Sequence, residues 1–192
     1  SKDKSIKIGK IAMMSYEEEG LPEEIERGLE AEASYDPVSN AYSFGTHIAV
    51  VEVDAESGEV KLERYIAVDD CGVQINPLLV EGQLHGGIVQ GIGQALYEKT
   101  VYDSAGNLLT GTLQDYALPR TFHIPDIELG STITPCPHNP LGSKGAGESG
   151  AIAAPPAIVN AVIDALQPWG IKLIDMPVTD ESVWQAIKGK KI

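Results

Sequence analysis

The stretch Pro77-Leu-Leu-Val-Glu-Gly-Gln-Leu-His-Gly-Gly-Ile-Val-Gln-Gly-Ile-Gly-Gln-Ala-Leu-Tyr97 decides how the rest of the chain is read. Leu84, Ile88, Ile92, Ala95 and Leu96 recur at helical spacing, which predicts a helix over Leu78 to Tyr97 entered through Pro77. Gly82, Gly86, Gly87, Gly91 and Gly93 lie inside it, and an interior glycine costs a helix about 1 kcal/mol against alanine. So many need a compensating gain from close approach of another backbone or of a ligand. Gly82, Gly86 and Gly93 fall near one face, with Gly87 and Gly91 alongside. Spacing alone accounts for them by tight helix packing and leaves ligand approach open.

Upstream, His47 to Val53 is apolar and β-branched, Asp54 to Gly58 supplies turn residues, and Val60 to Val68 resumes an extended pattern, so a β-hairpin is expected. Downstream, Val101 to Leu109 reads as a second hairpin around Asp103 to Asn107, and Ile127 to Ile133 as a strand. Thr134 to Gly150 is a Pro- and Gly-rich loop. Pro155 to Leu166 follows as a helix with proline near its start, then a short strand over Ile171 to Ile174 and a closing helix over Glu181 to Lys188. Strand pairs precede helices, which defines an α+β class with hairpins, a mixed sheet and packed helices. Residues 1–40, acidic over Glu17 to Glu19 and Pro22 to Glu32, read as an irregular arm or linker holding at most a helical turn. Residues 41–192 form the domain.

The chain has 192 residues, room for one domain or two small ones. Its formal net charge of -14 argues against nucleic-acid phosphates and anionic membrane surfaces as partners. The apolar runs Thr46 to Val53 and Ala151 to Val159 are far too short to cross a bilayer, and no charged-then-apolar signal segment opens the chain. Cys71 and Cys136 belong to no CxxC pair and read as reduced thiols, so a cytoplasmic location is expected.

Three motifs invite a function. Gly145-Ala-Gly-Glu-Ser-Gly150 matches the dinucleotide fingerprint G-x-G-x-x-G, with Asp175 after the following helix. That fingerprint follows a buried parallel strand, and Pro135, Pro137 and Pro140 cannot sit in one. Gly142-Ser-Lys-Gly-Ala-Gly147 imitates a P-loop, yet Glu148 stands where lysine must neutralise phosphate. His47, His85, His123 and His138 show no ligand spacing, so no metal ligation by protein side chains is expected. What remains is Glu148, one carboxylate in a glycine-rich loop with Lys144 four positions before it. A surface glutamate is its plain reading; a catalytic base needs a proton donor within hydrogen-bond reach.

Three runs carry a more specific signal: Val68-Asp-Asp-Cys-Gly-Val-Gln-Ile-Asn-Pro77, Glu81-Gly-Gln-Leu-His-Gly-Gly-Ile-Val-Gln-Gly-Ile-Gly93 and Asn139-Pro-Leu-Gly-Ser-Lys-Gly-Ala-Gly-Glu-Ser-Gly150. With Asp115-Tyr-Ala-Leu-Pro-Arg120 and Pro155-Pro-Ala-Ile-Val-Asn160 they resemble the molybdenum hydroxylases, which include xanthine dehydrogenase, aldehyde oxidoreductases and the large subunit of aerobic carbon monoxide dehydrogenase. The resemblance runs from about residue 30 to 190.

It implies an oxidoreductase in which a pterin-bound molybdenum hydroxyl attacks an electrophilic carbon while hydride passes to a sulfido ligand. Glu148 matches the base, Gln90 the cofactor-contacting glutamine, and the backbone of Gly86, Gly87, Lys144, Gly145, Ala146 and Gly147 the approach to molybdopterin, in its cytosine dinucleotide form. Family members are several times longer, so the chain corresponds to their C-terminal portion, and the earlier cofactor-binding segments are expected elsewhere. Partners implied are the remaining molybdenum region, an iron–sulfur subunit and an FAD subunit, with an aldehyde, N-heterocycle or carbon monoxide as substrate. A non-catalytic assembly module that keeps the fold is the alternative, followed by an independent nucleotide-binding protein.

Overall fold

The computed structural model describes residues 5–17, 22 and 24–189, and the chain divides into two units, residues 1–36 and 37–192. In the first unit α1 spans Ile8–Tyr16, longer than the single turn expected of an acidic arm. Its last turn closes locally, with the Ser15 hydroxyl donating to the Ala12 carbonyl at 2.7 Å and Ser15's own carbonyl accepting from Gly28 N–H at 2.7 Å.

The second unit opens with the expected hairpin, β1 (Phe44–Val53) antiparallel to β2 (Val60–Asp70), from Val53↔Val60 to Phe44↔Asp70. Asp54 builds the turn: its carboxylate accepts from Glu56 N–H and the Ser57 hydroxyl, each at 2.8 Å. A register shift between Val50 and Val51 leaves one β2 residue unmatched. That bulge lets Leu62 and Tyr65 both face the core although three positions apart, because the pleat is reset between them. β3 (Ile127–Ser131) adds in parallel to β2, giving the order β1-β2-β3 and a mixed sheet in an α+β fold.

Two long helices complete the core. α2 spans Pro77–Leu96; the Asn76 side chain caps it by accepting from Leu79 N–H, and Pro77 occupies the first turn, where its missing N–H is not needed. α3 spans Ser149–Ala165 and packs on both α2 and β1. Tyr65 and Ala67 of the sheet, Ile88 and Ile92 of α2, and Ala154, Ile158 and Val162 of α3 are all fully buried together. Each large aliphatic side chain so buried contributes about 1.5–3 kcal/mol. α4 (Asp180–Ile187) closes the unit with Thr179 as its cap and Val183 in the core.

Within this second unit the sequence reading and the structure differ at three places. α3 starts six residues before Pro155, so Pro155 and Pro156 lie inside it. Each proline removes one intrahelical bond, but Pro155 sits against Gly91 of α2, and that packing holds the helix through the interruption. The second hairpin shrinks to one bridge, Tyr102↔Leu108. The turn falls where expected: the Asp103 carboxylate takes the N–H groups of Ala105 and Asn107, at 2.9 and 2.8 Å, and Leu109 N–H reaches Val101 O at 2.8 Å on the far side of the bridge. Ile171 to Ile174 forms no strand among the described residues. The chain beyond it is tied instead to the end of α2, through Val178 N–H to Ala95 O at 2.7 Å.

Candidate functional site

The glycines of α2 fall into two stripes. Gly87 and Gly91, four residues apart and so on one face, are buried against α3. A Cβ on Gly87 would lie 2.9 Å from Ala151 N, and one on Gly91 would lie 2.5 Å from Ala154 Cβ. Gly150 returns the contact from α3, its Cβ position being 2.6 Å from Leu84 O. These glycines serve helix packing. Gly82 and Gly86, also four apart, are exposed, and a Cβ on either would meet nothing within 4 Å. Gln90, four beyond Gly86, continues that open stripe and is itself exposed. Gly93, seven beyond Gly86 and so on the same face, is covered rather than open: its Cβ position meets Glu98 and Pro119 at the helix end.

The loop carrying Lys144 to Glu148 runs beside this helix. The Cβ position of Gly147 is 3.8 Å from Gln83 Oε1, and Gly150 abuts Gly87, so Glu148 stands between these two points of contact with α2. Glu148 is exposed, occupies the N-cap position of α3 and makes no capping hydrogen bond with its side chain. Gly145, like Gly82 and Gly86, has no atom within 4 Å of its Cβ position. Gly86, Gln90, Gly145, Gly147 and Glu148 are thus exposed parts of one helix–loop region, Ala146 is half-buried, and Gly87 is internal.

The loop itself is stitched to the end of β2. Gly142 O accepts from both Val73 N–H and Cys136 N–H at 2.9 Å, and Lys144 N–H donates to Cys71 O at 2.8 Å. Asn139 grips Ser143 through both ends of its amide, at 2.9 and 3.2 Å. Gly72 and Gly142 face each other with φ of 68°, and a side chain on Gly72 would collide with Gly142 O, so glycine is required there on two counts.

Lys144 does not reach out to solvent. Its Nζ donates to Asp70 Oδ1 at 3.0 Å with both side chains buried, 7% and 0% exposed. The ammonium also lies 4.5 Å from the centre of the Phe44 ring. Burial opposes ionisation of Asp70, but hydrogen bonds from Thr134, Gly72 N–H, Lys144 and Thr132 outweigh it and hold the carboxyl well below the usual carboxylate range. Burial likewise pushes the neighbouring Cys71 thiol up, keeping it protonated.

A second buried cluster lies one residue earlier. His47 bridges Tyr65 Oη at 2.8 Å and Asp69 Oδ2 at 3.0 Å. Burial, then the Asp69 charge, push the Tyr65 hydroxyl up, so it remains a donor, consistent with Tyr65 donating to Nδ1 while Nε2–H donates to Asp69. Sequence reasoning singled out neither Asp69 nor Asp70. The available signal was two adjacent acids ending an apolar strand pattern, a place where carboxylates stay only if partnered. Among the described residues, no three or more His, Cys, Asp and Glu side chains converge to hold a metal ion.

Comparison with known proteins places the chain in a family. The sequence profile of the molybdopterin cofactor-binding domain matches residues 1–125. The carbon monoxide dehydrogenase large chain of Hydrogenophaga pseudoflava is 42% identical over 93% of this chain, and the nicotine 6-hydroxylase large subunit of Paenarthrobacter nicotinovorans 44% identical over 96%. Among solved structures, carbon monoxide dehydrogenase from Oligotropha carboxidovorans superposes on 94% of the chain at 37% identity with a TM-score of 0.86. Quinoline 2-oxidoreductase from Pseudomonas putida 86 does so on 89% at 43% identity with a TM-score of 0.83. The chain belongs to the molybdenum hydroxylase family, as part of its molybdopterin cofactor-binding region. It spans 22% of the length of both the carbon monoxide dehydrogenase and quinoline oxidoreductase chains.

Proposed function

We propose that this chain is the C-terminal cofactor-facing portion of a molybdenum hydroxylase large subunit, with Glu148 as the base. The observation that carries the reading is that Gly82 and Gly86 are open on α2, Gly145 is equally open on the loop that meets α2 at Gln83 and Gly87, and Glu148 is exposed on that same loop. Glycines with no internal neighbour gain nothing from their own fold, and a flat cofactor lying on them would supply the missing gain. The exposed backbone at Gly86 and that of Gly145 to Gly147 would hold molybdopterin, in its cytosine dinucleotide form, and Gln90 would contact it through its amide, while Gly87 is taken up by packing on α3. Lys144 takes part through its backbone, since its ammonium is engaged with Asp70.

When bound, the cofactor supplies the redox centre at which an electrophilic carbon is hydroxylated. Glu148 then accepts the proton whose removal creates the nucleophile, and one positioned carboxylate suffices for that. The remaining cofactor-binding region, an iron–sulfur chain and an FAD chain complete the assembly. The substrate class is an aldehyde, an N-heterocycle or carbon monoxide. No helix among the described residues is long and apolar enough to cross a membrane, and a cytoplasmic site of action is part of the proposal.

Glu148→Gln in the assembled, molybdenum-loaded protein is expected to lower turnover by roughly 10²–10⁴-fold, the usual worth of a general base, with molybdenum content unchanged. Turnover within about twofold of the parent would overturn the assignment and favour an assembly role.

A further inference from the structure

The loop from Lys144 to Glu148 is fastened at both ends and free between them. At one end Lys144 reaches from the loop into the buried end of β2 and pairs with Asp70, across 74 positions of sequence. Phe44, paired with Asp70 across β1 and β2, covers the same ammonium. At the other end Ser149 shares a hydrogen bond with Ser43 at 3.1 Å, and Gly150 seats against Gly87. Ser43 and Phe44, neighbours at the start of β1, therefore touch both anchors. Between them, a Cβ on Gly145 would meet nothing within 4 Å and one on Gly147 only the Gln83 side chain, so apart from the half-buried Ala146 the span has room to shift beneath Glu148.

We infer that Asp70 and Lys144 are a positioning pair: the buried ion pair holds the Glu148 loop in its working register, and Lys144 is not a cofactor ligand through its side chain. The inference rests on the reading of Glu148 as the base. The chemistry suits the task. A buried carboxylate held by several donors is a fixed point, and a lysine that must satisfy it cannot drift without leaving a charge unpaired in the interior. A shift of about 1 Å in a proton-accepting group is enough to cost some 10²-fold in rate.

The test uses the assembled, cofactor-loaded protein with Lys144→Met, Lys144→Arg and Phe44→Leu, and Glu148→Gln in parallel. Amide hydrogen exchange over Ser143 to Glu148, where Ser143 N–H is held by Asn139 and Lys144 N–H by Cys71 O, is the direct readout, accompanied by kcat, KM and molybdenum content. Lys144→Met is expected to speed exchange in the loop at least tenfold and to lower kcat by roughly 10²-fold, with KM and molybdenum nearly unchanged. Lys144→Arg, which can still pair with Asp70, should restore most of the protection. Phe44→Leu should lie between Lys144→Arg and the parent.

Unchanged exchange in Lys144→Met overturns the inference. So does loss of molybdenum with unchanged exchange, which would make the lysine a cofactor ligand. Should Lys144→Met not assemble, Lys144→Arg and Phe44→Leu decide on the same exchange readout. If Glu148→Gln keeps its turnover, the reading of the base falls while exchange in the lysine variants still settles whether the pair holds the loop.

Discussion

Along α2, Gly87 and Gly91 face α3, whose atoms leave no space for a methyl group, whereas Gly82 and Gly86 on the neighbouring stripe face no atom at all within 4 Å. One residue type thus answers two different demands within a few turns of one helix. The inner stripe lets two helices approach until backbone meets backbone, and its benefit lies within the chain. The outer stripe forgoes helix propensity for no return among the described residues, and in the proposed function its return is the cofactor. A glycine inside a helix acquires meaning only when the space where its Cβ would stand is known to be filled or open.

The contrast breaks most visibly on the inner side. Gly150→Ala and Gly91→Ala are each expected to lose about 1–3 kcal/mol of stability, the usual cost of overpacking. The first drives a methyl against the backbone of Leu84 and Ile88, the second against Ala154 and Pro155. Urea unfolding measures this, and a neutral result at both sites would remove the packing account of the inner stripe.

Acid should come next in effect. Because Asp70 is ionised well below its ordinary range in the folded chain, the unfolded chain takes up a proton near pH 4 that the folded chain refuses. Its contribution to stability is therefore complete above that pH and is lost as pH falls towards the native value. Asp70→Asn should flatten the acid limb of a stability-versus-pH curve; an unaltered limb would mean the ion pair contributes nothing.

The smallest effect has the opposite sign. Gly86→Ala or Gly82→Ala should stabilise the chain by up to about 1 kcal/mol through helix propensity, while lowering molybdenum retention in the assembled protein. Stabilisation without loss of cofactor would leave the outer stripe unexplained.

Much of the architecture was legible from patterning. The first hairpin, α2 and α4 follow from alternation or from the 3.6-residue period, and the anomaly of the α2 glycines was visible at once. Periodicity names a face but not its neighbour, so the division of that anomaly into two stripes required α3 in place. Pro155 and Pro156 looked like the beginning of a helix because local rules count the lost hydrogen bonds, not the compensating contact with Gly91. Asp103, a turn former in any reading, does close the second turn, but the strands on either side pair at one bridge only. At the site, Glu148 and the open glycines stood out in their motifs, whereas Asp70, though inside one of the quoted runs, gave no sign of its partner. Its partner lies 74 residues away, and no local rule links a strand-end acid to a loop lysine.

The double acceptance at Gly142 O has a consequence for how such chains can change in length. That carbonyl pins one end of a span, and the seating of Gly150 on Gly87 pins the other, so Ser143 to Ser149 works as a ruler. One residue added or removed there would rotate Glu148 away from its heading even if every remaining contact were kept. The Asp103 turn, closed on itself and exposed at its tip, carries no such measure, and insertions should be absorbed there with little notice.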